Sequence, residues 1–153
     1  MREYPKRRKY MNIFKLLKPK STVFYLNKSE PLRLASERLR QSGFTAVPVI
    51  DDSGEYIGTV SEGDFLWHIL QYSTSIQTIA DEHRIVDIVN EERNRAVRID
   101  VTMDELLERV MDQNFVPVID DRQIFIGIIT RKDVIAYFCS RSVSSPEAAS
   151  QQQ

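Results

Sequence analysis

Two short stretches set a hydroxyl and a carboxylate three residues apart: Ser61-Glu62-Gly63-Asp64 and Thr130-Arg131-Lys132-Asp133. A Ser or Thr followed at that spacing by an acid is close to a capping box, in which the hydroxyl accepts from a free amide of the first helical turn. That same helix start carries unpaired N–H groups and the positive end of the helix dipole, so it also suits a phosphate. A carboxylate placed there can accept both hydroxyls of a vicinal diol. The residues in between differ in kind. Arg131 and Lys132 would add charge-assisted bonds to an anion, whereas Glu62 would repel one. Cations oppose the dipole at a helix start, so they are poor choices for capping alone. Thr130, Arg131, Lys132 and Asp133 are therefore read as the primary phosphate- and sugar-binding element, with Ser61 and Asp64 as its weaker copy. The competing reading is that both stretches only cap helices.

The other reactive side chains form no catalytic constellation, and no enzyme is expected. His68 and His83 are the only histidines and are not spaced as a metal site. Trp67 reads as a core or interface aromatic. Cys139 lies in an apolar stretch without a matching His or Asn arrangement. Asp51-Asp52 and Asp120-Asp121 fall in turns, where Asp is common.

The elements that must position the two motifs are themselves duplicated. Residues 47–64 read VPVIDDSGEYIGTVSEGD and residues 116–133 read VPVIDDRQIFIGIITRKD, identical at nine of eighteen positions without a gap. Upstream, ERLRQSGF (37–44) matches ERVMDQNF (108–115), after which Thr45 and Ala46 are inserted in the first copy only. Such an insertion fits a helix-to-strand junction. Each copy reads as a short leading strand, helix, strand, turn, strand and helix. The leading strands are TVFYL (22–26) and AVRI (96–99). Pro31 suits a helix start, Gly43 a helix stop, and TMDE (102–105) is a capping box. Pro48 argues for a sheet edge or a strand start. One copy alone is small for an independent core. The fold expected is α/β (α+β): two β-α-β-β-α repeats packed sheet to sheet around a shared core and a pseudo-twofold axis, with two equivalent clefts between them. The partition read is a basic, disordered arm over 1–10, repeat 1 over 11–72, a linking helical segment over 73–90, repeat 2 over 91–139 and a disordered tail over 140–153.

The repeated order of helix, VPVIDD, turn, IG and Ser/Thr-x-x-Asp resembles the cystathionine-β-synthase (CBS) domain as a tandem pair. The resemblance implies a regulatory α/β module that often dimerises and whose clefts bind adenine nucleotides, S-adenosylmethionine or cyclic dinucleotides. It places the hydroxyls of Ser61 and Thr130 near phosphate, and Asp64 and Asp133 on ribose. The backbone of Val116, Pro117, Val118 and Ile119 would border the base. SGFTAVPVID and FIGIITRKD resemble more narrowly the small stand-alone CBS-pair proteins of Gram-positive bacteria that bind cyclic di-AMP. That likeness puts Thr45, Ala46, Arg131 and Lys132 at the nucleotide, with Val23, Phe24 and Tyr25 shaping the other wall. Those proteins also use a basic residue in the first leading strand, where this chain has Thr22, with Lys20 two residues before it. Cyclic di-AMP is the leading effector, followed by AMP, ADP or ATP; no other cofactor and no metal is expected. A homodimer and a regulated protein partner are implied.

Composition sets outer bounds. Apolar residues make up 42% and charged residues 28% of 153, an ordinary globular balance. No stretch approaches 18 apolar residues, so no membrane span is expected, and the charged N-terminus does not read as a secretory signal. A single cysteine excludes an intrachain disulfide and fits a reducing cytoplasm. Residues 1–20 hold eight Lys or Arg and one Glu, although the chain's net charge is −1. A nucleic-acid role through this basic arm is one alternative. A ligand-free dimerisation or scaffold protein is the other. Met11 would serve as a start as well as Met1.

Overall fold

The computed structural model describes residues 13–143. In chain order its elements are β1 (Lys18–Pro19), β2 (Leu26–Asn27), α1 (Leu32–Ser42), β3 (Ala46–Ile50), β4 (Tyr56–Ser61), α2 (Glu62–Leu70), α3 (Ile76–Glu82), β5 (Val97–Arg98), α4 (Met103–Asp112), β6 (Phe115–Ile119), β7 (Phe125–Thr130) and α5 (Arg131–Val143). Both copies thus have the expected β-α-β-β-α order. The basic arm and most of the tail lie outside the described residues; α5 itself continues past residue 139 to Val143.

Local chemistry explains most boundaries. Gly43 ends α1 in the left-handed conformation at φ 75°, where a side chain would be strained. Thr102 and Glu105 cap α4 reciprocally. Each hairpin turns on an Asp: the Asp51 carboxylate accepts from the amides of Ser53 and Glu55, both at 2.9 Å, and Asp120 accepts from Arg122 and Ile124. These carboxylates are occupied in holding turns. Pro48 is not on an edge strand, because the sheet order is β2-β3-β4. However, β2 reaches only Val49 and Ile50, so Pro48 lies in the half of β3 that has a single neighbour. A proline is tolerated there because the second side of the strand carries no ladder.

The second sheet has the order β1-β7-β6-β5. The strand β1 belongs by sequence to the lead-in of repeat 1, yet it pairs with β7 of repeat 2, Lys18 against Ile128 and Pro19 against Gly127. The converse crossing is Asn90, ahead of repeat 2, which exchanges hydrogen bonds of 3.0 and 3.1 Å with Thr59 of repeat 1. Both crossings need glycine. A Cβ on Gly127 would sit 2.1 Å from the Lys18 carbonyl oxygen, and one on Gly58 would sit 2.5 Å from that of Asn90. The shared IG of the two repeats is thus explained by close backbone approach.

Most of the buried apolar residues among those described form two clusters, where the sequence suggested one shared core. One holds Leu26, Leu32, Ala35, Leu39, Val47, Val49 and Val60 together with Ile79 and Ile85 from the linking segment. The other holds Val97, Leu106, Val110, Val116, Val118, Ile129 and Val134 together with Ile13 and Leu16 from the chain start. Each sheet packs its apolar face on its own helices and is completed by a segment outside the repeat. The halves meet at their hairpins. The Phe125 amide donates to the Gly54 carbonyl at 2.9 Å, and the Phe125 ring, 1% exposed, stacks on Tyr56 and meets Tyr25 edge-on.

Candidate functional site

The half of β3 that lacks a second neighbour faces a cavity of about 670 Å³. Val23, Phe24, Phe44, Thr45, Ala46 and Pro48 line one wall. Lys18, Ile128 and Thr130 line a second, brought there by the β1–β7 crossing. Arg93, Asn94, Gln113 and Asn114 close a third. The walls therefore combine an unpaired strand edge, three aromatic residues with Phe115 as the third, the cations Lys18 and Arg93, and one acid, Asp112. Backbone N–H and C=O groups at such an edge can read the rim of a heterocycle. The Phe24 and Phe44 rings, 6.5 Å apart, offer faces on which a base can stack.

Thr130 ends β7 and Asp133 lies in the first turn of α5. The Thr130 hydroxyl accepts from the Asp133 amide at 3.1 Å. The Asp133 carboxylate makes no reciprocal bond to the Thr130 amide among the described residues; its neighbour is the Lys18 ammonium at 3.7 Å. It remains about a third exposed and has acceptor capacity to spare.

The structure brings some expected residues together and not others. Thr130, Thr45, Ala46, Val23 and Phe24 share the cavity, with Asp133 one turn away and tied to it through Lys18. Arg131 turns aside: its guanidinium donates to the carbonyls of Val110 at 2.6 Å and Met111 at 3.3 Å, capping the end of α4. Unpaired carbonyls at a helix C-terminus attract a cation, which accounts for that orientation. Lys132 is exposed and does not line the cavity. Val116, Pro117 and Val118 are buried in their own half, and the strand edge at the cavity is the first repeat's β3 instead. Tyr25 packs on Phe125 beneath the Lys20 ammonium, 5.3 Å from its ring centre, outside the lining. Lys20, the basic residue noted near the leading strand, is engaged there, whereas Lys18 faces the cavity.

Around Ser61 and Asp64 the same motif is bonded differently. The Ser61 hydroxyl accepts from the Asp64 amide, and the Asp64 carboxylate accepts from the Ser61 amide at 2.8 Å, a complete capping box. Both carboxylate oxygens also accept from Arg93, at 2.6 and 3.2 Å.

Lys18, Arg93 and Asn94 were missed in the sequence. Lys18 is one cation among eight in the first 20 residues, and Arg93 sits in a charged run without periodicity. Only the crossing of the lead-in segments gives them a place. The structure also joins the two histidines: His68 and His83 share a hydrogen bond of 2.7 Å between α2 and the end of α3, beside Tyr72. Burial and His83 lower the His68 pKa. Trp67 is 68% exposed and so is no core residue.

The family profile of the CBS domain matches residues 16–71 and 87–140. Among solved structures, the chain resembles CbpB in complex with c-di-AMP, with 27% identity over 86% of each chain and a TM-score of 0.80. It also resembles a CBS domain protein from Streptococcus pneumoniae, with 28% identity over 83% of this chain and 86% of that one and a TM-score of 0.75. CbpB from Streptococcus agalactiae shares the fold at 24% identity, over 92% and 90% of the two chains, with a TM-score of 0.78. Comparison with curated proteins returned no match.

Proposed function

The chain belongs to the CBS-domain family, and on that premise we propose that it is a cytosolic regulatory module whose cavity binds an adenine nucleotide, cyclic di-AMP before AMP, ADP or ATP. The observation that carries this reading is the meeting of Thr130 and Lys18 with the free edge of β3 in one cavity, with Asp133 beside it at 3.7 Å from the Lys18 ammonium. Asp133 accepts the ribose hydroxyls. The Thr130 hydroxyl and the Lys18 ammonium take the phosphate at the start of α5, where the helix dipole favours an anion. The edge of Ala46 to Pro48 borders the base, and Phe24 and Phe44 stack on it. Arg131 contributes indirectly by fixing the end of α4 beside the N-terminus of α5.

The output is proposed to be a change in assembly. Leu66, Trp67 and Leu70 on α2 and Ile135 and Phe138 on α5 are exposed apolar side chains, which suit a homodimer or a protein partner. A nucleotide switches such an assembly only by preferring one arrangement.

Titration of the purified protein with cyclic di-AMP, AMP, ATP and S-adenosylmethionine tests the proposal through the melting temperature. Saturating cyclic di-AMP is expected to raise Tm by mass action. No shift with any of the four at millimolar concentration would refute it.

A further inference from the structure

The two Ser/Thr-x-x-Asp motifs do not offer equivalent carboxylates. At Asp64, one oxygen accepts from both the Ser61 amide and the Arg93 Nη1, and the other accepts from Arg93 Nη2. This fork-to-fork pairing of guanidinium with carboxylate uses the same two oxygens that a ribose diol would need. The pair is also sheltered, the Asp64 side chain being 16% exposed. Arg93 is held in place from both sides. The Asn90 carboxamide oxygen accepts from the amides of Glu92 and Arg93 at 3.0 and 3.2 Å. The next residue, Asn94, has its carbonyl bound by the Tyr56 hydroxyl at 2.6 Å and donates from its side chain to the Phe115 carbonyl. A diol would have to displace a two-point ionic contact whose cation is anchored by its neighbours. It would leave the guanidinium without its partner and bring phosphate towards Glu62. Asp133, by contrast, faces a single ammonium among the described residues, at 3.7 Å and beyond hydrogen-bonding distance.

We infer that the Arg93–Asp64 pair closes the first motif to ribose, so that each chain takes one nucleotide, at the Thr130–Asp133 end. This rests on the nucleotide reading above and adds the stoichiometry and the residue that sets it. Arg93 is a specificity-determining residue that acts by occupying a carboxylate.

Isothermal titration with AMP and with cyclic di-AMP reads the stoichiometry directly. One nucleotide per wild-type chain is expected, and Asp133→Asn is expected to weaken binding at least tenfold. In Arg93→Gln, a second AMP per chain is expected, and in Arg93→Gln with Asp133→Asn the AMP that remains belongs to the Ser61–Asp64 end. Two AMP per wild-type chain would overturn the inference while leaving the nucleotide reading standing. An Arg93→Gln chain that melts like the wild type yet still takes one AMP would also overturn it. No binding of either nucleotide to the wild type would remove the nucleotide reading, and this inference with it. The wild-type stoichiometry decides the matter even if the variants fold poorly.

Discussion

Ser61–Asp64 and Thr130–Asp133 occupy matching places in matching repeats, each at the end of a hairpin and the start of a helix. In the first half the acid is enclosed by a backbone amide, a guanidinium and a reciprocal cap. In the second, the acid looks across a gap to one lysine. The lead-in segments make the difference. The lead-in of repeat 2 carries Arg93, whose fork reaches the acid at bonding distance. The lead-in of repeat 1 carries Lys18, whose single ammonium stops short. One duplicated motif thus serves as a structural tie in one copy, while in the other its carboxylate keeps acceptor capacity to spare. Two kinds of cation, delivered by the two lead-in segments, are enough to separate the two arrangements.

The largest test of how the halves lean on one another is Phe125→Ala. The ring belongs to the second half but is buried among Tyr25 and Tyr56 of the first. Its loss is expected to destabilise by about 3–5 kcal/mol in urea unfolding. If the cost is under about 1 kcal/mol, the hairpins do not lock the halves together. Gly127→Ala comes next. Its Cβ would fall 2.1 Å from the Lys18 oxygen, so β1 must shift off β7. A loss of about 1–3 kcal/mol is expected, as for overpacking, and nucleotide affinity should fall as well because Lys18 moves with β1.

Smaller but more discriminating is the pair Asp64→Ala and Asp133→Ala. Removing Asp64 strips a cap and strands Arg93, for an expected loss of about 1–2 kcal/mol. Removing Asp133 should change stability by no more than about 0.5 kcal/mol, as at an ordinary surface position, while abolishing the thermal response to nucleotide. Equal destabilisation by the two would erase the contrast. The smallest effect is a pH dependence confined to the first half, which holds both histidines. Burial and the facing His83 lower the His68 pKa, while Asp87 partly offsets them. The unfolded chain therefore takes up that proton first, near pH 6.5. Stability present above that pH should decline as pH falls from 7.5 towards 5.5. A Tm series should show this decline, and His68→Gln should flatten it.

The sequence carried the parts of this fold that are written locally. Gly43, the Thr102–Glu105 cap and the Asp51 and Asp120 turns are fixed by a few neighbouring residues, and the duplication exposed the architecture. The resemblance carried Thr45, Ala46, Val23 and Phe24 to the cavity wall, together with Thr130. What could not be read depends on chain crossings. Arg131 seemed aimed at an anion because its neighbours along the chain are a helix start; in space it meets the carbonyl end of α4. Val116 to Val118 seemed to border the same ligand as Thr130, because both lie in one repeat. The cleft instead joins opposite repeats. Pro48 was informative about a missing neighbour, but the gap is half a strand wide and not a sheet edge.

The crossings also bear on how the chain is made. Ile79 and Ile85 follow the first hairpin closely, so the first half can assemble its apolar cluster soon after leaving the ribosome. The second half must recover Ile13, Leu16 and β1, synthesised long before β7 exists. Closing that long loop is slow relative to local pairing. During that interval the chain start is available to proteases and chaperones. A cut between the repeats would therefore not release two autonomous units, because each fragment would carry away the lead-in segment that the other needs.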